Sequence, residues 1–282
     1  MIATLKVPSF LKFPRGGAEE ELQRVTKRMS PLAGANIAPP LGVTHTVPNV
    51  LASVPWDSQW KFNGNGNDSV AVHHLTNNNS ATFTTGKLGG ATGATQLVHS
   101  SNQFWSIADP TALRLGSNDM SIALWTQLAS KGAYVSCLLS KGQSSVGQVE
   151  YGIFYENSLD RFRFTTWASG AGDPQYVTAN TFGAPSVNTW YFIVAQYVGE
   201  TKTMKLSVNG GAFDSQARTS GTVASSATQL CVGNYAWNTG VGLSYDGLVD
   251  DVRMTISEQG GGAILTAEQV AALYNNGNGT EQ

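Results

Sequence analysis

A chain does chemistry through a few residue patterns: paired carboxylates, a nucleophile beside a base, or clustered metal ligands. This chain offers few of them. Glycoside hydrolysis needs two carboxyl groups about 5–5.5 Å or about 6.5–9.5 Å apart, which alternate positions on one strand would place on one face. Glu150, Glu156 and Asp160 are scattered, with aromatics between them. No Gly-x-Ser-x-Gly elbow, phosphate-binding loop or zinc spacing occurs. His45, His73, His74 and His99 lack ligand spacing. The expectation is a non-enzymatic binding protein with no catalytic residues.

Aromatic residues are the better candidates. Sugars are held by an aromatic platform with amide or carboxyl groups beside it. Trp167, Tyr176, Tyr235, Trp237 and Asn238 lie in or near glycine-rich loops, so they are the candidate glycan-binding residues. Packing is the competing role for each. Trp56, Trp60, Trp105, Trp125 and Trp190 read as core or packing residues.

These residues need a scaffold, and the composition says which kind. Of 282 residues, 41% are hydrophobic and only 13% charged, against roughly 25% charged in ordinary soluble domains. Polarity comes from Gly, Ser, Thr and Asn, which suit strands and turns. Trp190–Val198 is rich in aromatic and β-branched residues. After a turn at Gly199–Lys202, Met204, Leu206 and Val208 alternate with Lys205 and Ser207. Asn209-Gly210 turns the chain again. Arg161–Trp167 alternates, with Phe162 and Phe164 on the core side. Near the end, Thr266 and Gln269 make a capping box, Leu265 and Val270 a staple, and Asn276-Gly277 a stop. Cys137 and Cys231 sit in strand-like runs and are expected as buried free thiols.

Residues 1–55 differ. They hold seven of the ten prolines, and six basic residues against three acidic ones; the remainder is net acidic. A short helix is expected from Ala18 to Met29, with Leu22, Val25 and Met29 as a narrow apolar stripe. Lys12 and Arg15 add to the positive charge. So little apolar surface cannot form a core. This segment is expected to be an anchoring arm, docked on neighbouring subunits. No run reaches the ~18 apolar residues of a membrane helix, and no secretory signal is evident at the N-terminus. Neither nucleic-acid binding nor membrane insertion is expected.

From residue 60 to 279, ordered segments carry a family pattern. They are Trp60-Lys-Phe62, His74-Leu75-Thr76-Asn77-Asn78, Thr85–Ala91, Phe104–Leu113, Met120–Trp125, the Trp190–Gly210 hairpin, Leu230–Gly233, Asp246–Arg253 and Leu265–Tyr274. Together they resemble the laminin-G-like, concanavalin A-like jelly-roll family. The resemblance implies an all-β fold: a two-sheet antiparallel jelly-roll sandwich over residues 56–282, preceded by the arm and closed by a short helix. Family members mostly bind glycans or proteins, often with calcium tying an Asp/Asn-rich loop to a late Asp-Asp strand. Here that implies a structural Ca²⁺ near Asp68 and Asp250; the alternative for Asp250, taken to share the face of Leu248, Val252 and Met254, is to cap backbone amides or meet an arginine. An outward-facing binding domain, no export signal and a basic arm together lead to the expected setting. This is a phage virion component, a capsid decoration protein or tail appendage, homo-oligomeric and contacting neighbouring virion proteins through the arm and a host glycan through the jelly roll. The alternative is a secreted or cell-surface bacterial carbohydrate-binding lectin-like module, and the remote alternative a glycosidase.

Overall fold

The computed structural model describes residue 51 and residues 54–281, apart from 133–134, 144–147, 169–173, 220 and 237–238. The arm residues Lys12, Arg15, Leu22, Val25 and Met29, and the loop residues Trp237 and Asn238, lie outside the described residues.

Strands are numbered in chain order. The first sheet contains β1 (Ser58–Trp60), β3 (Thr82–Thr84), β4 (Ala94–Leu97), β6 (Asp119–Leu128), β11 (Trp190–Val198), β12 (Thr203–Val208), β13 (Asp214–Ala217) and β15 (Gly247–Ser257). Its order is β13-β12-β11-β6-β15-β4-β3, with β1 also paired to β15. The second contains β2 (Thr76–Asn78), β5 (Phe104–Ile107), β7 (Ser136–Gln143), β8 (Gln148–Glu156), β9 (Arg161–Trp167), β10 (Pro174–Thr178) and β14 (Leu230–Val232), in the order β10-β9-β8-β7-β14-β5-β2. Every pairing is antiparallel. This is the jelly-roll sandwich that the alternating strands imply.

Alternation builds the core. Phe162 and Phe164 of β9, with Tyr151, Ile153 and Tyr155 of β8, meet Ile122 and Leu124 of β6, Ile193 of β11, and Met204 and Leu206 of β12. The hairpin forms as its residues dictate: Val198 pairs with Thr203 and Ile193 with Val208. Asn209 and Gly210 then take the left-handed φ values (54° and 66°) that Asn and Gly adopt most cheaply.

A smaller cluster covers the other face of the first sheet. There helix α1 (Ala267–Tyr274) lays Val270 and Leu273 against Trp125, Phe192 and Val194, with Leu265 alongside. Its start is the capping box, with Thr266 accepting from the Gln269 amide and the Gln269 side chain accepting from the Thr266 amide. The helix stops one residue earlier than the Asn-Gly pair suggests, at Asn275, which is itself left-handed at φ 47°.

One strand breaks its own period. β15 pairs with β6 on either side of a bulge between Asp250 and Arg253, with Asp251 at φ 46°. An extra residue re-phases a strand. Val249 before the bulge and Val252 and Met254 after it all face the core. Asp250 is therefore not on the core face with Val252 and Met254, as strict alternation predicts, but turned to the opposite side. Cys137 and Cys231 are buried and unbridged.

Candidate carbohydrate-binding site

Because Phe162 and Phe164 point inward, Arg161, Arg163, Thr165 and Trp167 face outward from the second sheet. Of the candidate aromatics, Trp167 lies on β9, Tyr176 on β10 and Tyr235 just beyond β14, and the side chains differ in role. Trp167 is only 9% exposed and packs with Cys137, Val149 and Phe154. It is a packing residue, drawn in by the apolar outer side of β7 and β8. Tyr235 is half-buried on the same cluster, its ring 6.3 Å from Phe154. Tyr176 is open, at 46% exposed. Its ring lies 5.2 Å from the Arg163 guanidinium, which lies 5.3 Å from Phe154 on another side. Glu156 accepts a hydrogen bond from Arg163 Nη1 at 2.6 Å. Phe154, Arg163 and Tyr176 thus form a stack that holds one exposed ring in place through cation–π contact.

The two aspartates expected to share calcium have other partners. Asp68 Oδ1 accepts from the amides of Gln59, Val70 and Ala71 at 3.0, 3.0 and 3.1 Å, and Oδ2 from the His73 amide at 3.3 Å. Burial opposes its charge, but these amide bonds outweigh burial and hold its pKa below the ordinary value. Asp250 Oδ2 accepts from the amides of Lys87 and Leu88 at 2.7 and 3.1 Å. Burial dominates there and pushes its pKa up to about 7. A calcium site needs converging oxygen atoms. These carboxylates instead face N–H donors, and among the described residues no group of three or more His, Cys, Asp or Glu side chains converges. The arrangement does not fit Ca²⁺; it caps backbone. Asp251 accepts from Gln59 Nε2 at 2.7 Å and ion-pairs with Arg253 at 2.8 Å.

Glu150 is the most buried acid of the second sheet. It accepts from the amides of Leu115 and Ser226 and lies 3.9 Å from buried Lys141. Burial pushes its pKa up to about 7. It clamps two loops, and the Lys141 ammonium it faces also lies 3.9 Å from Asp109.

The feature the sequence did not disclose is a cavity of about 320 Å³ at one end of the sandwich. Three loops build it: the turn after β4, the β6–β7 connection and the segment before β15. Its walls include His99, Ser100, Ser130, Val135, Ser136 and Asp246. Asp246 ties two of these loops together, with Oδ1 accepting from the His99 amide at 3.3 Å and Oδ2 from Ser130 Oγ at 2.7 Å. Its own carbonyl accepts from the Ala129 amide at 3.0 Å. His99 Nδ1 lies 3.0 Å from the Ser244 carbonyl. Gly247 allows the close approach that sets Asp246: a Cβ there would lie 2.1 Å from the Gln127 carbonyl oxygen of β6. Val135 of this cavity and Tyr235 both pack on the outer-face cluster, so cavity and aromatic stack share one side of the second sheet. Ligand pockets commonly hold about 300–1,000 Å³, and this one sits at the small end.

With this geometry in place, the comparisons give the class. The family model for the concanavalin A-like lectin/glucanases superfamily matches residues 99–257, more than half of the chain, and the chain belongs to that family. Among solved structures it is similar to domain 4 of an extracellular arabinanase from Geobacillus stearothermophilus, in complex with arabinotriose. That match has 14% identity and a TM-score of 0.55, covering 80% of this chain and 98% of that one. It is also similar to the binding domain of botulinum neurotoxin serotype D, at 14% identity and TM-score 0.57, over 78% of this chain and 51% of that one. Trypanosoma rangeli sialidase matches at 13% identity and TM-score 0.53, over 79% of this chain and 33% of that one. At such identities the likeness is one of fold. No curated protein sequence matches the chain.

Proposed function

We propose that this chain is a non-enzymatic carbohydrate-recognition domain, carried on a virus particle as a decoration or tail appendage. Residues 1–55 join it to neighbouring proteins. The observation that carries the binding role is the loop-built cavity around Asp246, with an exposed tyrosine held on an arginine elsewhere on the second sheet. Carboxylate and serine hydroxyls match sugar hydroxyls, and Tyr176 offers a face for sugar C–H groups. Lectin-family membership supports this reading. The basic arm on an acidic body supports the particle setting, since opposite charge favours docking.

The test is binding of the full chain to a glycan array, with isothermal titration of any hit. Tyr176→Ala is expected to weaken oligosaccharide binding by about tenfold, one aromatic contact's worth, with an unchanged melting temperature. A blank array would refute the binding role. Immunogold labelling that never found the protein on particles would refute the setting.

A further inference from the structure

The cavity's hydrogen-bonding capacity is one-sided. Each Asp246 oxygen has one protein donor, the His99 amide on Oδ1 and Ser130 Oγ on Oδ2, and a carboxylate oxygen accepts about two. One acceptor position therefore remains on each oxygen, side by side. His99 Nδ1 lies 3.0 Å from the Ser244 carbonyl and 2.9 Å from Ser244 Oγ. Among the described residues, neither Lys nor Arg lines the cavity. Lys131, next in the chain to Ser130, has its ammonium on Asp160 at 2.7 and 2.8 Å.

We infer that the cavity takes a neutral sugar, two adjacent hydroxyls of which donate to the two oxygens of Asp246, and that it rejects acidic sugars. A uronate or sialate carboxylate would be brought beside Asp246 with no cation to compensate. Like charges at close range, partly out of water, cost each other ionisation. A neutral diol instead gives the carboxylate the two donors it lacks. Hydrogen bonds to a charged group are the strong ones. This inference rests on the carbohydrate reading above and adds to it the class of sugar.

The experiment is saturation-transfer NMR and titration of the full chain with glucose and galactose against glucuronic and galacturonic acids, which differ only at C6. At least one neutral sugar is expected to bind, and its acid counterpart at least about tenfold more weakly. Asp246→Asn should lose the neutral sugar and erase the discrimination. Ser130→Ala, which frees a third acceptor position without removing the carboxylate, should keep the preference. Acid sugars binding as well as neutral ones would overturn the inference and leave the carbohydrate reading standing. So would glucosamine binding more tightly than glucose, because an ammonium would then be the recognised group. If no sugar, and no glycan of the array, binds the wild-type chain, the carbohydrate reading itself falls.

Discussion

Replacing Asp68 by alanine removes the acceptor for four backbone amides at once: Gln59, Val70, Ala71 and His73. These bonds tie the 68–73 turn to β1, which in turn pairs with β15. Asp68 is 6% exposed, so the stranded donors do not all regain water. A hydrogen bond to a charged acceptor contributes about 1.5–3 kcal/mol and the four are not additive, so the net loss is about 3–5 kcal/mol. For a domain of this size 1 kcal/mol moves Tm by about 2–4 °C, giving a fall of about 10 °C. Asp68→Asn keeps an oxygen for the three amides on Oδ1 but loses the charge, and should fall by about 4 °C. Differential scanning calorimetry with and without EDTA in calcium-containing buffer separates the two roles of this residue. The cap predicts no EDTA effect on the wild type. An Asp68→Ala variant that melts within about 2 °C of wild type would refute the cap, and a wild type that loses several degrees in EDTA would restore calcium.

Two further expectations follow from buried groups. Glu150 and Asp250 are both pushed up to about 7 by burial, so each favours folding when protonated. Their contribution is full below the ordinary carboxylate range and is lost as pH rises through about 7, whereas that of Asp68, held low, is lost as pH falls below that range. Melting temperature should therefore decline from pH 5 to pH 8, and Glu150→Gln should flatten that slope; a flat wild-type profile would contradict it. Gly247→Ala places a Cβ 2.1 Å from the Gln127 carbonyl and 2.9 Å from the Tyr245 ring. It should cost about 2–4 kcal/mol in urea unfolding and weaken sugar binding by displacing Asp246.

Much of the fold was legible because local patterns and tertiary demands agreed. Phe162 and Phe164 alternate with arginines, and that alternation alone places them in the core. Thr266 and Gln269 specify their helix start within four residues. The orientation of Asp250 was not legible, since it depends on a bulge one residue long that only the pairing with β6 requires. Trp167 sits at an outward strand position, yet its neighbours on β7 and β8 are apolar and bury it. Arg163 beneath Tyr176 becomes visible only once β9 and β10 are in register. The cavity was the least legible, because His99, Ser130 and Asp246 are unremarkable singly and converge only through three separate loops. His99, isolated from the other histidines, carried no spacing signal. The one available hint was the Asp246-Gly247 pair, in which a glycine at a strand start marks close backbone approach.

The two cysteines have a practical consequence. Both are buried, and burial pushes the Cys137 thiol up to about 12, so neither offers a thiolate to an alkylating reagent at neutral pH. The chain contains no other cysteine. Val72, 80% exposed on the turn that Asp68 holds, is a place where Val72→Cys would give the folded protein a single reactive handle. A gold cluster or fluorophore attached there marks one defined point per molecule, so copy number and position on a particle become things to count under a microscope.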